Sequence, residues 1–320
     1  MKTVLLRSAR GGESIHPDPS PSSMRHSLAV LFCLLGCRGG GSSTATPVLF
    51  LDSVPGKTDL VDYEPAWSPS GTHLAFISNR NGPLKVYTAK VDGTELTQLT
   101  QGPDEDDSPS WSPDEKRIAF VSTRDGNSEI YRMNADGSGQ LRLTDDPGID
   151  IHPVWAPDGK SIIWNSSRHS ADSTEPETFE VFAMDVNGYL LRQLTQGGIT
   201  TYASWSPDGL LLLFRRQVND SNSEIFVSQP AGDDVNLTQD PAFDGWPAWA
   251  ADGRRVIFAR EKGDDASIYV VEADGSGLSP LVTLPGRWTN PRWSPKGDLI
   301  VASRRWKGEV RLYLFPAPKS

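Results

Sequence analysis

Of 320 residues, 37% are apolar and 22% charged, with 29 Gly, 25 Pro and 10 Trp. The chain is too apolar for a disordered segment and too punctuated for a helical bundle, so a β-rich fold is expected. The formal charge is −10, with no compensating basic block, which disfavours nucleic acid and anionic membrane surfaces as partners. The two cysteines, Cys33 and Cys37, lie together near the start, so the body of the protein has neither a disulfide framework nor a thiolate metal site.

In chain order, the first apolar run is SLAVLFCLLG, residues 27–36, too short to cross a bilayer core of ~30 Å as a helix. It reads as a signal-peptide core behind Met24, Arg25 and His26, with Met24 the expected true start and residues 1–23 an upstream extension. Leu34 to Cys37, LLGC, followed by the flexible RGGGSSTAT, resembles the lipobox of bacterial lipoproteins. That resemblance implies removal of residues 1–36, lipidation of Cys37, a tether over 37–46 and a folded domain over 47–320. An ordinary signal peptide with a chance cysteine is the alternative. Arg38 rather than Asp follows the cysteine, and the resemblance then favours the periplasmic face of the outer membrane, with the membrane touched only through the lipid.

Beyond the tether the chain repeats itself. Trp67, Trp111, Trp155, Trp205, Trp249 and Trp293 are spaced 44, 44, 50, 44 and 44 residues apart, each within a text such as WSPDG. Pro and Asp-Gly supply turn chemistry between two strands. An apolar triplet seven residues after each Trp marks a second strand, such as Ile118-Ala119-Phe120, and pairs such as Ile130-Tyr131 mark a third. Dipeptides such as Asp136-Gly137 give tight hairpins, and Leu143-Thr144 and its equivalents end a fourth strand. Four strands per unit of about 44 residues is the period of a propeller blade. The sixth unit stops after its third strand, whereas PVLFLD at 47–52 is a lone strand before the first Trp. The sequence therefore predicts an all-β, six-bladed propeller of four-stranded blades, the last closed by the N-terminal strand, which removes exposed edges.

These units resemble the TolB-like propellers with PD40, or WD40-like, repeats; PSWSPDEKRIAFVSTRDGNSEIYRMNADGSGQLRLT in the second unit is close to their pattern throughout. The fourth unit departs at its hairpin turn, AGDDV, and the sixth at Ala302. There is no room between Cys37 and Pro47 for the α/β domain that precedes the propeller in TolB, so the resemblance implies a TolB-like lipoprotein.

The repeated Trps are read as core between repeats, and Arg80, Arg124 and Arg168 in the Ser-x-Arg text as blade-to-blade ion-pair or hydrogen-bond donors. Five residues before the repeat Trps stand Asp62, Asp106, Asp150, Thr200, Asp244 and Trp288. The four carboxylates are expected to ring one channel mouth, where convergent oxygens could hold a hard cation such as Ca²⁺. Capping of the local turns by the same Asp side chains is the competing reading, and no other cofactor is expected. Trp246, Trp288 and Trp306 break the repeat pattern and are placed on loops of one face as an interaction hot spot; packing between loops is their alternative. His152 is the one histidine near the channel. Without GxSxG and without clustered histidines, catalysis has little to work with.

The expected function is a monomeric, non-catalytic cell-envelope lipoprotein that binds a protein partner through the propeller's loop face. The competing class is a carbohydrate-active lyase or hydrolase with its site in the channel. For the anchor, mass spectrometry of the mature N-terminus is expected to find an acylated Cys37 as first residue, and an unmodified terminus elsewhere removes it.

Overall fold

A computed structural model describes residues 46–168, 178–228 and 233–318. Cys37, most of the tether, His169 and most of the polar expansion of the third repeat lie outside the described residues. Within them the repeat text folds as antiparallel strands: in the first unit Asp62–Trp67, His73–Ser78, Lys85–Lys90 and Thr97–Gln98, in that order across the sheet. The WSPSG turn closes when the Ser68 N–H donates to the His73 carbonyl at 2.9 Å and Gly71 N–H to Ser68 at 2.8 Å. At the third-to-fourth strand turns, glycine is required twice over. Gly137 and Gly188 have φ of 86° and 91°, and a Cβ on either would stand 2.7 Å from a carbonyl of the preceding repeat, Leu99 or Leu143.

The innermost strands, Asp62–Trp67, Asp106–Trp111, Asp150–Trp155, Thr200–Trp205, Asp244–Trp249 and Arg287–Trp293, pack side by side in sequence order, and the last lies against the first. The Trp67 indole N–H donates to the Arg292 carbonyl at 3.1 Å across that closing seam. Hydrophobic burial is concentrated between successive repeats. Ala75, Ile77 and Val86 of the first pack on Ile118, Phe120 and Tyr131 of the second, with Trp111 against them, and equivalent clusters follow around the ring. Phe50, Leu74, Phe76, Val301 and Leu312 close the circle between the sixth repeat and the first. The repeat Trps are inter-repeat core, each joining one such cluster.

The propeller is all-β, but the expectation of six four-stranded blades is corrected. Four separate blades of four strands are present, and the strands of the fifth and sixth repeats belong to one eight-stranded sheet. The cause lies in strand length. Asp265–Glu272 has eight residues where the first three repeats have six, so it reaches Arg287, and Ala266 and Arg287 form a parallel pair that fuses the two repeats. At comparable places elsewhere, Val61 with Val310 and Phe179 with Ile199, the contact remains an isolated parallel bridge.

Val48–Leu49 pairs antiparallel with Glu309–Pro316, Val48 opposite Leu314, and the Phe50 N–H donates to the Leu312 carbonyl at 2.9 Å. Arg311 donates to the Leu51 carbonyl from the same strand. Phe50 meets Phe76 edge to face, with ring centroids 5.7 Å apart. Burial of that ring in the closing cluster sets its weight: Phe50→Ala should destabilise the fold by ~3 kcal/mol or more. Val48→Ala, at a side chain 53% exposed, should change stability by no more than about 0.5 kcal/mol. Urea unfolding of the two variants against the parent chain checks both.

Candidate ligand site in the central channel

Each inner strand carries the same irregularity. In the first, Tyr63 pairs with Ile77 and Ala66 with Ala75, so Glu64 and Pro65 oppose the single residue Phe76, which is a β-bulge. The shift recurs in the other five inner strands. The first bulged residue is left-handed every time: Glu64, Ser108, His152, Tyr202, Trp246 and Asn290 have φ of 51°, 50°, 53°, 54°, 54° and 49°. In L-residues this conformation costs roughly 1–2 kcal/mol each. Proline follows in five cases and has no N–H to lose from the ladder. Three residues before each Trp the backbone is therefore constant and the side chain is not.

Five of these six residues, all but Trp246, line a cavity of about 430 Å³ in the channel, together with the repeat Trps and the intervening prolines. One side is aromatic: the His152 and Tyr202 rings stack at 4.0 Å, and Trp246 lies 6.0 Å beyond Tyr202. The Tyr202 N–H donates to Asn165 Oδ1 at 3.0 Å, and Asn165 Nδ2 donates to the Thr200 carbonyl at 3.1 Å, fixing that strand. Arg215 lies over the Tyr202 ring at 5.4 Å. Burial, then the Arg215 charge, holds His152 down to about 3, so its imidazole is neutral at physiological pH, and its buried Nδ1 has no partner. Burial raises Tyr202 to about 12.

The other side is polar. A Glu64 carboxylate oxygen accepts from Ser108, from N–H at 2.9 Å and from the hydroxyl at 3.1 Å. Burial raises the Glu64 carboxyl above its ordinary range. Beside it, burial and the Glu64 charge push Asp107 up to about 8. Arg292 also lines the cavity, and burial pulls its guanidinium downward.

The sequence matches the PD40 family, described as the TolB beta propeller domain, over residues 53–230. The chain belongs to this family. Solved structures similar to it include TolB from Acinetobacter baumannii, at 24% identity and a TM-score of 0.64, covering 73% of this chain and 57% of that one. The putative TolB from Agrobacterium tumefaciens aligns at 22% identity and a TM-score of 0.63, over 81% of this chain and 91% of that one. A gluconolactonase from Xanthomonas campestris aligns at 16% identity and a TM-score of 0.62, over 86% and 90%. At these identities the likeness is one of fold. No curated protein matches the chain.

In this TolB-type propeller the carboxylate ring expected from the sequence is corrected. Asp62, Asp106, Asp150 and Asp244 begin their inner strands, whereas the cavity is lined by the later halves of the same strands. All four are buried and bound to cations: Asp62 to Arg80 at 2.9 Å and Arg311 at 3.3 Å, and Asp106 to Lys85 at 2.8 Å and Arg124 at 3.1 Å. Asp150 meets Arg168 at 3.1 Å and Asp244 meets Arg260 at 2.7 Å. Carboxylates already held by guanidinium groups do not converge on a cation, and among the described residues no group of three or more His, Cys, Asp or Glu could hold a metal ion. The Ca²⁺ reading is withdrawn. Arg80, Arg124 and Arg168 are ion-pair donors, but to the Asp of their own repeat rather than of a neighbour.

The three irregular Trps separate. Trp288 is 0% exposed, donates to the Leu284 carbonyl at 3.0 Å and belongs to the core between the fifth and sixth repeats, so its placement on an interaction surface is corrected. Trp246 packs partly on that core and turns toward Tyr202. Trp306 alone is exposed, at 41%, on the hairpin between Leu299–Trp306 and Glu309–Pro316. The sequence reading passed over Glu64, Asp107, Ser108, Tyr202, Asn290 and Arg292. For Glu64, Ser108, Tyr202 and Asn290 a signal was available, because the place three before each Trp never repeats a residue; Asp107 and Arg292 lie outside that place.

Asp107 gives a pH test. Its folded value of about 8 lies above the ordinary ~3.9 of an unfolded chain, so between those values the folded state binds the extra proton. Its contribution therefore favours the fold at low pH and is lost as pH rises toward and past 8. Asp107→Asn should raise the melting temperature by several degrees at pH 8–9, with the gain vanishing near pH 4, as thermal melts across that range would show.

Proposed function

We propose that this TolB-type propeller is an exported, monomeric binding protein, tethered through a lipid on Cys37 at the periplasmic face of the outer membrane, that receives a segment of an envelope protein partner in its channel without chemistry of its own. One observation carries this reading. Residues with a structural role recur from repeat to repeat, as the Trp, Asp and Arg positions do, whereas the six left-handed positions hold Glu, Ser, His, Tyr, Trp and Asn. Strained backbone that presents unlike side chains to a cavity is the mark of selection for a ligand rather than for packing. The apolar rim of Trp and Pro suits a partner's side chains, and the unlike polar groups behind it supply specificity.

A lyase or hydrolase acting on a carbohydrate in the channel is the second reading, supported by Asp107, a carboxyl held protonated near neutrality beside Glu64. The gluconolactonase likeness supports it no further than the fold. Against it, His152 is too strongly depressed to exchange a proton at physiological pH.

Ser204 lines the cavity and its hydroxyl makes no hydrogen bond among the described residues, so Ser204→Trp narrows the channel without removing one. Capture of the partner from envelope extracts should fall at least tenfold with Ser204→Trp and persist with Trp306→Ala. The opposite pattern would move the site to the hairpin face. Turnover of an oligosaccharide that disappears with Asp107→Asn would establish the enzyme instead.

A further inference from the structure

Immediately before the repeat Trps stand Ala66, Ser110, Val154, Ser204, Ala248 and Arg292. Five are small, and the room they leave in the channel is entered by one guanidinium. All six line the cavity. The Arg292 backbone is pinned by the Trp67 indole, whereas its side chain makes a single hydrogen bond, from Nη1 to the adjacent Pro291 carbonyl at 2.9 Å. A guanidinium has five N–H donors in a fixed fork, so most of this one is uncommitted. Among the described residues Arg292 makes no ion pair, in contrast to Arg80, Arg168 and Arg260, each of which holds an Asp. Arg292 is half-buried and lines the cavity, so its uncommitted donors are placed to receive an anion that enters the channel.

Resting on the reading of the channel as a binding site, we infer that the cavity binds a small monocarboxylate, whose anionic end is received by the Arg292 guanidinium and whose body is covered by the rim of Trp and Pro. The planar fork matches a carboxylate bidentately. Glu64 lies close enough to interact with Arg292 through its charge, so a doubly charged phosphate would meet stronger repulsion than a single carboxylate does. Arg215, behind Tyr202 and with a buried Nε that makes no hydrogen bond, adds to the positive potential on the aromatic side.

Isothermal titration calorimetry on the purified propeller tests this with sodium hydrocinnamate against its neutral amide, sodium glucuronate against glucose, and phenyl phosphate. At least one carboxylate should bind saturably, its neutral counterpart should not, and phenyl phosphate should bind more weakly; which carboxylate binds separates an apolar acid from a sugar acid as the source. Arg292→Gln should weaken binding at least tenfold while leaving the melting temperature of the free protein unchanged, because no ion pair is lost and the one side-chain hydrogen bond, to the Pro291 carbonyl, can be made by the Gln amide. Glu64→Gln should tighten binding severalfold. Equal binding of neutral and acidic probes, preference for the phosphate, no saturable binding, or a lowered melting temperature in Arg292→Gln with binding kept would overturn the proposal. If Ser204→Trp abolishes partner capture while no carboxylate binds, the carboxylate inference fails and the channel reading stands. Carboxylate binding with capture indifferent to Ser204→Trp keeps the carboxylate site and places the protein partner outside the channel.

Discussion

The left-handed residue in each inner strand is the constraint on which the channel depends. A regular strand would alternate its side chains and pair evenly with its neighbour. Two residues opposing one instead re-aim the chain, and they do so at six places on one ring. Such backbone persists only where the surroundings over-determine it. Here the start of the inner strand is held in four repeats by an ion-paired Asp, and the end by a Trp in the core between repeats. The proline after the bulged residue relieves the ladder of a donor that would have gone unpaired.

Charge is organised at two levels in consequence. At the strand starts, acid and base meet at 2.7–3.1 Å and neutralise one another inside the repeat. Farther along the same strands, Glu64 and Arg292 line the cavity without forming such pairs. The net charge of −10 therefore says nothing about the sign of the field within the channel, which follows from a few incompletely compensated groups.

Period, strand order within repeats and the role of the six Trps were legible because each depends on local text: turn residues, apolar triplets and a spacing of 44. Fusion of the last two repeats was not, since it depends on how far Asp265–Glu272 extends past its hairpin partner, and strand ends are weakly encoded. Trp288 misled because an aromatic at a position held by Asp in four repeats and Thr in one looks like a surface exception, whereas it is buried in the core of the fused sheet. The Asp residues misled in the opposite sense. A repeated acid was read as convergent, although a repeated Ser-x-Arg lay within reach of three of them in the same unit. Repetition signalled structure for the Asp residues, whereas its failure marked core packing at Trp288 and cavity lining at Glu64, Ser108, His152, Tyr202 and Asn290.

The eight-stranded sheet also sets how the ring yields. Repeats in linear arrays open as separate cooperative units when only side chains join them. The fifth and sixth repeats share backbone pairing as well as the core around Trp288 and Trp293, so their amides are expected to exchange as a single unit. Arg292 stands in that unit, and Glu64 stands across the seam that Trp67 closes. Transient opening of the ring at this seam would part the two charged walls of the cavity before it loosened either of them.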